Sequence, residues 1–206
     1  MSEDSLEQIG LDVSRETIDR LKIYERTLKK WNPSINLVSK RSLDEAWGRH
    51  ILDSAQIFVF QRPEGHWVDL GSGGGLPALI LAAISAETTP NARFTLIESD
   101  KRKSAFLRTA AREMGLRIEV LAERIEAATP QNADILSARA LTDLGGLLSF
   151  AQRHANPGAT LVFPKGSTWE NEVEEARKEW NFELEAIKSS VEPGAAILKI
   201  RGVSRG

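Results

Sequence analysis

Not one cysteine occurs among the 206 residues of this chain. Disulfides, thiolate metal sites and a cysteine nucleophile are therefore excluded, and no metal site is expected. The composition fits a cytosolic protein. No apolar run approaches membrane-spanning length, and Met1–Asp12 is acidic and polar rather than a signal peptide. Charge of one sign is also missing: 27 Lys and Arg against 29 Asp and Glu leave a net −2. A general nucleic-acid coat is thereby excluded, so any RNA partner must be attracted by local basic patches. There is no internal repeat, low-complexity segment or flexible linker. What is present, a chain 41% hydrophobic, suffices for one full core.

The most informative segment is Trp67-Val-Asp-Leu-Gly-Ser-Gly-Gly-Gly-Leu-Pro77. An apolar strand ends in Asp69, glycines follow at 71, 73 and 75, and a helix-like run covers Leu76 to Ala86. Glycines at a strand-to-helix turn let backbone approach a ligand in dihedrals that a Cβ forbids. The helix beyond is expected to offer unpaired N–H groups. The spacing is Gly-x-Gly-x-Gly, not the Gly-x-Gly-x-x-Gly of dinucleotide sites, and no Gly-Lys-Ser/Thr of a phosphate loop follows. An acid ahead of the loop repels a pyrophosphate but suits a ligand bearing an ammonium or sulfonium charge. That points to S-adenosylmethionine.

The first sixty residues read as helical. Ile18, Leu21, Tyr24, Leu28 and Trp31 form an amphipathic stripe expected to stop ahead of Pro33. Ser42-Leu-Asp-Glu45 has the form of a capping box opening a second helix, with Trp47, Ile51, Ser54 and Phe58 along one side. Residues 1–62 are thus expected to form an N-terminal helical extension, and residues 63–206 the main domain in one unit. In that domain the pattern predicts strands at Val68–Leu70, Arg93–Glu98, Ile118–Leu121, Asp134–Ser137 and Thr160–Phe163. Helices are predicted at Arg102–Met114, stopped by Gly115, at Thr142–His154, closed by Asn156-Pro-Gly, and at Trp169–Trp180. Phe182–Lys188 and Ala196–Ile200, joined through Glu192-Pro-Gly, read as an antiparallel hairpin. Repeated βα units make this an α/β chain: a mostly parallel sheet, helices on both faces, a site at the carboxyl ends of the strands.

Candidate site residues follow from those strand ends. Glu98 closes the second strand, where a carboxylate accepts two hydrogen bonds from a ribose diol; Asp100 lies further into the loop. Glu123-Arg124-Ile125-Glu126 follows the third strand, where an adenine ring would meet the sheet edge. Ser137-Ala-Arg139 follows the fourth, with no Pro-Pro-aromatic or Pro-Cys segment to position an exocyclic amine. Pyrimidine-carbon methylation usually requires a cysteine adduct, which this chain cannot form. An oxygen or an already nucleophilic ring nitrogen remains. Guanine ring nitrogen 7 carries a free lone pair and no proton, so it needs alignment rather than a general base. Lys101-Arg-Lys103, Lys40-Arg41 with Arg49-His50, and Lys165 are the basic clusters available to RNA. Arg139 and Lys165 stand at strand ends beside the expected pocket and are assigned to the methyl-transfer face. His50 and Asp53 are three apart on one helical face, where a local hydrogen bond is expected. The five Trp residues read mainly as core or interface filler.

These segments taken in order resemble the bacterial ribosomal RNA small-subunit methyltransferase G family, also called glucose-inhibited division protein B. The matching stretches are Trp31-Asn-Pro-Ser-Ile-Asn-Leu37, Arg49-His-Ile-Leu-Asp-Ser54, Val68 through Pro77, Lys101 through Leu107, Arg124-Ile-Glu126, Ser137-Ala-Arg-Ala140 and Phe163-Pro-Lys-Gly166. The resemblance implies a seven-stranded class I S-adenosylmethionine-dependent methyltransferase fold with a helical extension. It implies methylation of ring nitrogen 7 of one guanine in 16S rRNA, with the small ribosomal subunit or its assembly intermediate as partner. It also implies cofactor contacts at Gly71, Leu76, Ile125, Glu126 and Arg139, to which the reading of the residues adds Gly73 and Glu98. A monomer with no membrane partner is expected. The chain departs from the family at Ala78, where another glycine is frequent. Two other readings stay open on the residues: a small-molecule methyltransferase of this fold, and a non-catalytic RNA-binding assembly factor.

Overall fold

The computed structural model describes residues 2–206, with side chains from Ser5 onward. Met1, where the stretch read as lacking a signal peptide begins, lies outside the described residues. A short helix α1 (Ser2–Gln8) precedes α2 (Arg15–Ile35). The Ser14 side chain accepts the Thr17 N–H to start α2, and Ile18, Leu21, Tyr24 and Leu28 are buried along it. The expected stop ahead of Pro33 is not observed. Proline in the last turn forfeits one main-chain hydrogen bond, and its would-be acceptor belongs to the solvent-exposed Lys29. The helix ends instead at Asn36, left-handed at φ 48°, whose N–H reaches the Asn32 carbonyl. The Asn32 side chain then clasps both main-chain groups of Val38, at 2.8 and 3.1 Å, and fixes the exit of the chain.

The second helix likewise starts earlier than Ser42. Ser39 caps α3 (Lys40–Leu43), accepting the Ser42 N–H, while the Ser42 hydroxyl donates to the Ser39 carbonyl. A π-helical turn (Trp47–Leu52) follows, then two short helices, α4 (Asp53–Ala55) and α5 (Ile57–Phe60). One continuous helix was the expectation; the wide turn interrupts it and re-aims Arg49, His50 and Asp53.

Strands and helices then alternate as β1 (His66–Leu70), α6 (Ala78–Thr88), β2 (Arg93–Ile97), α7 (Lys101–Glu113), β3 (Glu119–Leu121), β4 (Ala133–Ala138), α8 (Leu144–His154), β5 (Ala155–Lys165), α9 (Trp169–Ala176), β6 (Trp180–Lys188) and β7 (Ala196–Arg205). They form one seven-stranded sheet in the order β3-β2-β1-β4-β5-β7-β6. The first five strands are parallel, and β7 runs antiparallel to both β5 and β6. Asn156-Pro-Gly does not close α8 by a turn; it bulges within β5, where the register to β4 shifts. The helix expected to reach Trp180 ends at Ala176, because Trp180, Phe182 and Leu184 alternate against β7 as a strand.

Alternation across the central strands feeds two apolar layers. Trp67, Phe94, Leu96, Ile135 and Val162 face α2, α6 and α7, whereas Val68, Leu70, Leu136, Leu161 and Phe163 face α8 and α9. Leu6, Leu21, Tyr24, Leu28 and Ile51 belong to the first layer, so the N-terminal helices cover the sheet beside α6 and α7. Parallel strands put every carboxyl end of β1, β2, β3 and β4 on one edge, and the site lies there.

Candidate active site

The glycine loop leaves β1 in left-handed backbone. Gly71 has φ +62°, and a Cβ there would stand 2.7 Å from the Leu141 side chain; Gly75 has φ +78°, and its Cβ would meet Leu79 at 2.4 Å. Gly73, at φ +51°, has only a carbonyl oxygen at 3.8 Å from where its Cβ would be, so its free side opens to the cleft. The loop is braced from three directions. Ser72 N–H donates to the Ile97 carbonyl, Gly75 N–H to the Ser72 carbonyl, and the buried Tyr24 hydroxyl to the Gly74 carbonyl at 2.6 Å. Most of the N–H groups in the first turn of α6, expected to be unpaired, have acceptors: Leu79 donates to the Gly75 carbonyl, and Ile80 and Leu81 to the Pro77 carbonyl. Ala78, the departure from the family pattern, is fully buried and does not line the cleft.

Glu98 is buried just beyond β2, and its carboxylate takes part in the bracing. One oxygen accepts the Gly73 N–H and the other the Asp100 N–H, each at 2.8 Å. Each oxygen retains acceptor capacity for a ligand. Asp100 is committed elsewhere: it caps α7 by accepting the N–H groups of Arg102 and Lys103, which hold its carboxyl below the usual range.

Asp69, the acid ahead of the loop, does not line the cleft. It is completely buried beneath the loop. Its Oδ1 accepts the Ser137 hydroxyl at 2.5 Å, that hydroxyl accepts the Trp67 indole N–H, and Oδ2 has no partner. Burial pushes its carboxyl up to about 7, against the pull of the Ser137 and Ser72 hydrogen bonds.

A cleft of about 600 Å³ opens at the strand carboxyl ends. Gly71, Gly73, Leu76, Glu98, Ile125, Glu126 and Arg139, drawn from four separate strand ends, all line it. Ile97, Ile125, Leu141 and Phe150 form an apolar part of the wall, and Lys103, Arg49 and Arg124 add positive charge. Leu37, Val38, Ser39 and Ser42 form a further wall that the sequence did not reveal. The Asn32 clasp on Val38 that positions them involves residues distant from the glycine loop in sequence and has no local signature.

Arg139, past the end of β4, joins the N-terminal helices to the sheet. Its Nη2 lies 3.2 Å from Asp53 Oδ2 and 3.4 Å from both His50 Nδ1 and the Arg49 carbonyl. Its Nη1 is buried and has no partner. His50 and Asp53 do not bond each other as expected; the π-helical turn leaves both addressing Arg139. Because Nδ1 of His50 faces a guanidinium donor, the ring proton belongs on Nε2, 2.9 Å from the Ser42 hydroxyl. Burial, then Arg139 and Arg49, push the His50 imidazole down to about 4. Burial raises the Asp53 carboxyl and Arg139 opposes that rise.

A second cavity of about 260 Å³ adjoins the cleft and shares Arg139, Ala140 and Glu192 with it. Lys165 lines this cavity, with Nζ 2.7 Å from Glu172 Oε2 and 2.9 Å from the Thr142 carbonyl. Of the other basic positions, Lys40, Arg41, Lys101 and Arg102 are exposed. Among the Trp residues, Trp67 and Trp180 are buried and Trp31, Trp47 and Trp169 half-buried. The glycine cradle, the Glu98 carboxylate beside it, an apolar wall and the unpartnered Arg139 donor fit a nucleoside with a charged amino-acid tail. Among the described residues no group of three His, Asp or Glu could hold a metal ion, and no helix is long and apolar enough to cross a membrane.

Comparison with known proteins places this geometry. The family profile described as rRNA small subunit methyltransferase G matches residues 17–197. Two similar relatives are the ribosomal RNA small subunit methyltransferases G of Ruegeria sp. (strain TM1040) and Ruegeria pomeroyi. The first is 55% identical over 202 residues, 98% of each chain. The second is 58% identical over 196 residues, 95% of this chain and 96% of the relative. Among solved structures, a SAM dependent methyltransferase from Aquifex aeolicus superposes with a TM-score of 0.54 at 15% identity. That match covers 90% of this chain and 98% of the other, and shows the shared fold.

Proposed function

This chain belongs to the rRNA small subunit methyltransferase G family, and on that premise we propose that it methylates ring nitrogen 7 of one guanine in 16S rRNA of the small ribosomal subunit. S-adenosylmethionine, the cofactor, supplies a methyl group already activated on a sulfonium: as the N7–CH₃ bond forms, the S–CH₃ pair stays on sulfur, and no proton has to leave. One observation carries the reading. Seven residues from four strand ends line a single cleft, and a second cavity opens from it across Arg139 and Ala140.

The chain's own residues bind and orient. Gly71 and Gly73 give the methionine portion close access to the backbone, with Leu76 beside it. Glu98 accepts from the ribose, and the segment at Ile125 and Glu126 brackets the adenine. Arg139 offers its unpartnered Nη1 to an anionic group. Arg139 and Lys165 guard the methyl-transfer face, and Arg49, Lys103 and Arg124 attract RNA phosphates to the rim. No general base is needed, and the neutral His50, bonded on both nitrogens, is not available as one. Catalysis is then orientation in a shielded site. Residues 1–62 act as an extension that walls the cleft of a methyltransferase domain at 63–206, in a cytoplasmic monomer.

The test is methyl transfer from tritiated S-adenosylmethionine to small ribosomal subunits from cells lacking this gene. Borohydride–aniline cleavage then maps 7-methylguanine. Label with one cleavage site supports the reading; label without cleavage overturns the nitrogen, and absence of label overturns the substrate.

A further inference from the structure

We propose that Lys165 and Glu172 are the specificity residues that recognise the target base as guanine, in the cavity beside the cofactor cleft. The inference rests on the guanine-N7 reading and extends it to the groups that choose the base. A base whose N7 faces the cleft turns its N1–H and exocyclic amine to the far side of the ring, into the adjoining cavity. That cavity has about 260 Å³, room for one purine, and meets the cleft along Arg139, Ala140 and Glu192.

Guanine shows O6, an acceptor, next to two donors, N1–H and the 2-amino group. A matching wall needs a donor and an acceptor side by side. The Lys165–Glu172 pair is that arrangement, 2.7 Å apart with side chains only 8% and 24% exposed. The ammonium has three donors, of which Glu172 and the Thr142 carbonyl take two. Glu172 Oε1 has no hydrogen-bond partner among the described residues. One donor and one carboxylate oxygen are therefore unspent, the donor for O6 and the oxygen, with its two lone pairs, for N1–H and the 2-amino group. Adenine, with a donor at position 6 and an acceptor at N1, presents the reverse and leaves both groups unpaired. The mutual pairing also holds both side chains in place before the base arrives.

A pair that merely tied β5 to α9 would be indifferent to the base, so the experiment varies the base. Small subunits are reconstituted with rRNA carrying inosine at the mapped position; inosine keeps N7, O6 and N1–H but lacks the 2-amino group. For the unaltered protein, kcat/KM on inosine should fall by about tenfold or more relative to guanine. In Glu172→Gln that ratio should shrink toward one, while calorimetric affinity for S-adenosylmethionine stays unchanged. Equal rates on guanine and inosine for the unaltered protein would overturn the inference, as would undiminished discrimination in Glu172→Gln. If that variant loses cofactor binding, the inosine ratio of the unaltered protein decides alone. Loss of methylation on guanine itself, in the unaltered protein, marks failure of the underlying function rather than of the base readout.

Discussion

The hydroxyl of Tyr24, in the middle of α2, donates to the carbonyl of Gly74 at 2.6 Å with both groups buried. This bond ties the N-terminal helices to the glycine loop, so the cleft depends on a residue far outside the loop. Tyr24→Phe leaves that carbonyl without its donor and should cost about 1–3 kcal/mol in denaturant unfolding. Affinity for S-adenosylmethionine should weaken as well. Unchanged affinity at reduced stability would mean that the loop holds its shape without this bond.

Two glycines with nearly equal dihedrals should behave differently. Gly71 and Gly115 have φ +62° and +68°, but a Cβ at Gly115 meets nothing, whereas at Gly71 it strikes Leu141. Gly115→Ala should lower stability by about 1 kcal/mol and leave cofactor binding intact. Gly71→Ala should abolish most cofactor binding. Isothermal titration of both variants makes the comparison directly.

Glu98→Ala frees the Gly73 and Asp100 N–H groups that the carboxylate holds. The expected result is much weaker cofactor binding. Lys165→Ala should retain cofactor binding and lose methylation of small subunits. Normal binding by Glu98→Ala would show that the carboxylate does not hold the ribose.

Arg139 and Asp53 form a largely buried ion pair at 3.2 Å. Arg139→Met strands the Asp53 carboxylate and should cost about 3 kcal/mol. Adding Asp53→Asn should recover part of that loss, which a double-mutant cycle in urea would measure. Additive effects would mean that the two side chains do not interact energetically.

Two buried groups give opposite pH slopes. His50 is held at about 4 against an ordinary 6.5, so below pH 6.5 the unfolded chain takes up the proton first. Stability from this group is present above 6.5 and is lost as pH falls toward 4. Asp69 is raised from 3.8 to about 7, so its contribution is full below 3.8 and is lost as pH rises through 7. Thermal melts across this range should show Asp69→Asn flattening the loss of stability as pH rises toward 7 and His50→Gln the loss as pH falls toward 4. Slopes identical to those of the unaltered chain would show that neither group titrates as assigned.

By itself the sequence determined the periodic and the local. Alternating βα segments, the hairpin through Glu192-Pro-Gly and the glycine spacing at 71, 73 and 75 are short-range patterns, legible because side-chain period and turn chemistry are local properties. The cleft could be placed for the same reason: parallel strands bring their carboxyl ends to one edge, so residues after each strand converge there. Helix ends were less legible. Pro33 sits inside α2 and Ser39, not Ser42, caps α3, because an exposed carbonyl and a competing hydroxyl partner decided those ends. Only the tertiary structure decided that Asp69 is buried beneath the loop, that Tyr24 holds Gly74, and that His50 and Asp53 both turn to Arg139. Those contacts join residues from 50 to 89 positions apart, and which side chain meets which depends on how layers pack.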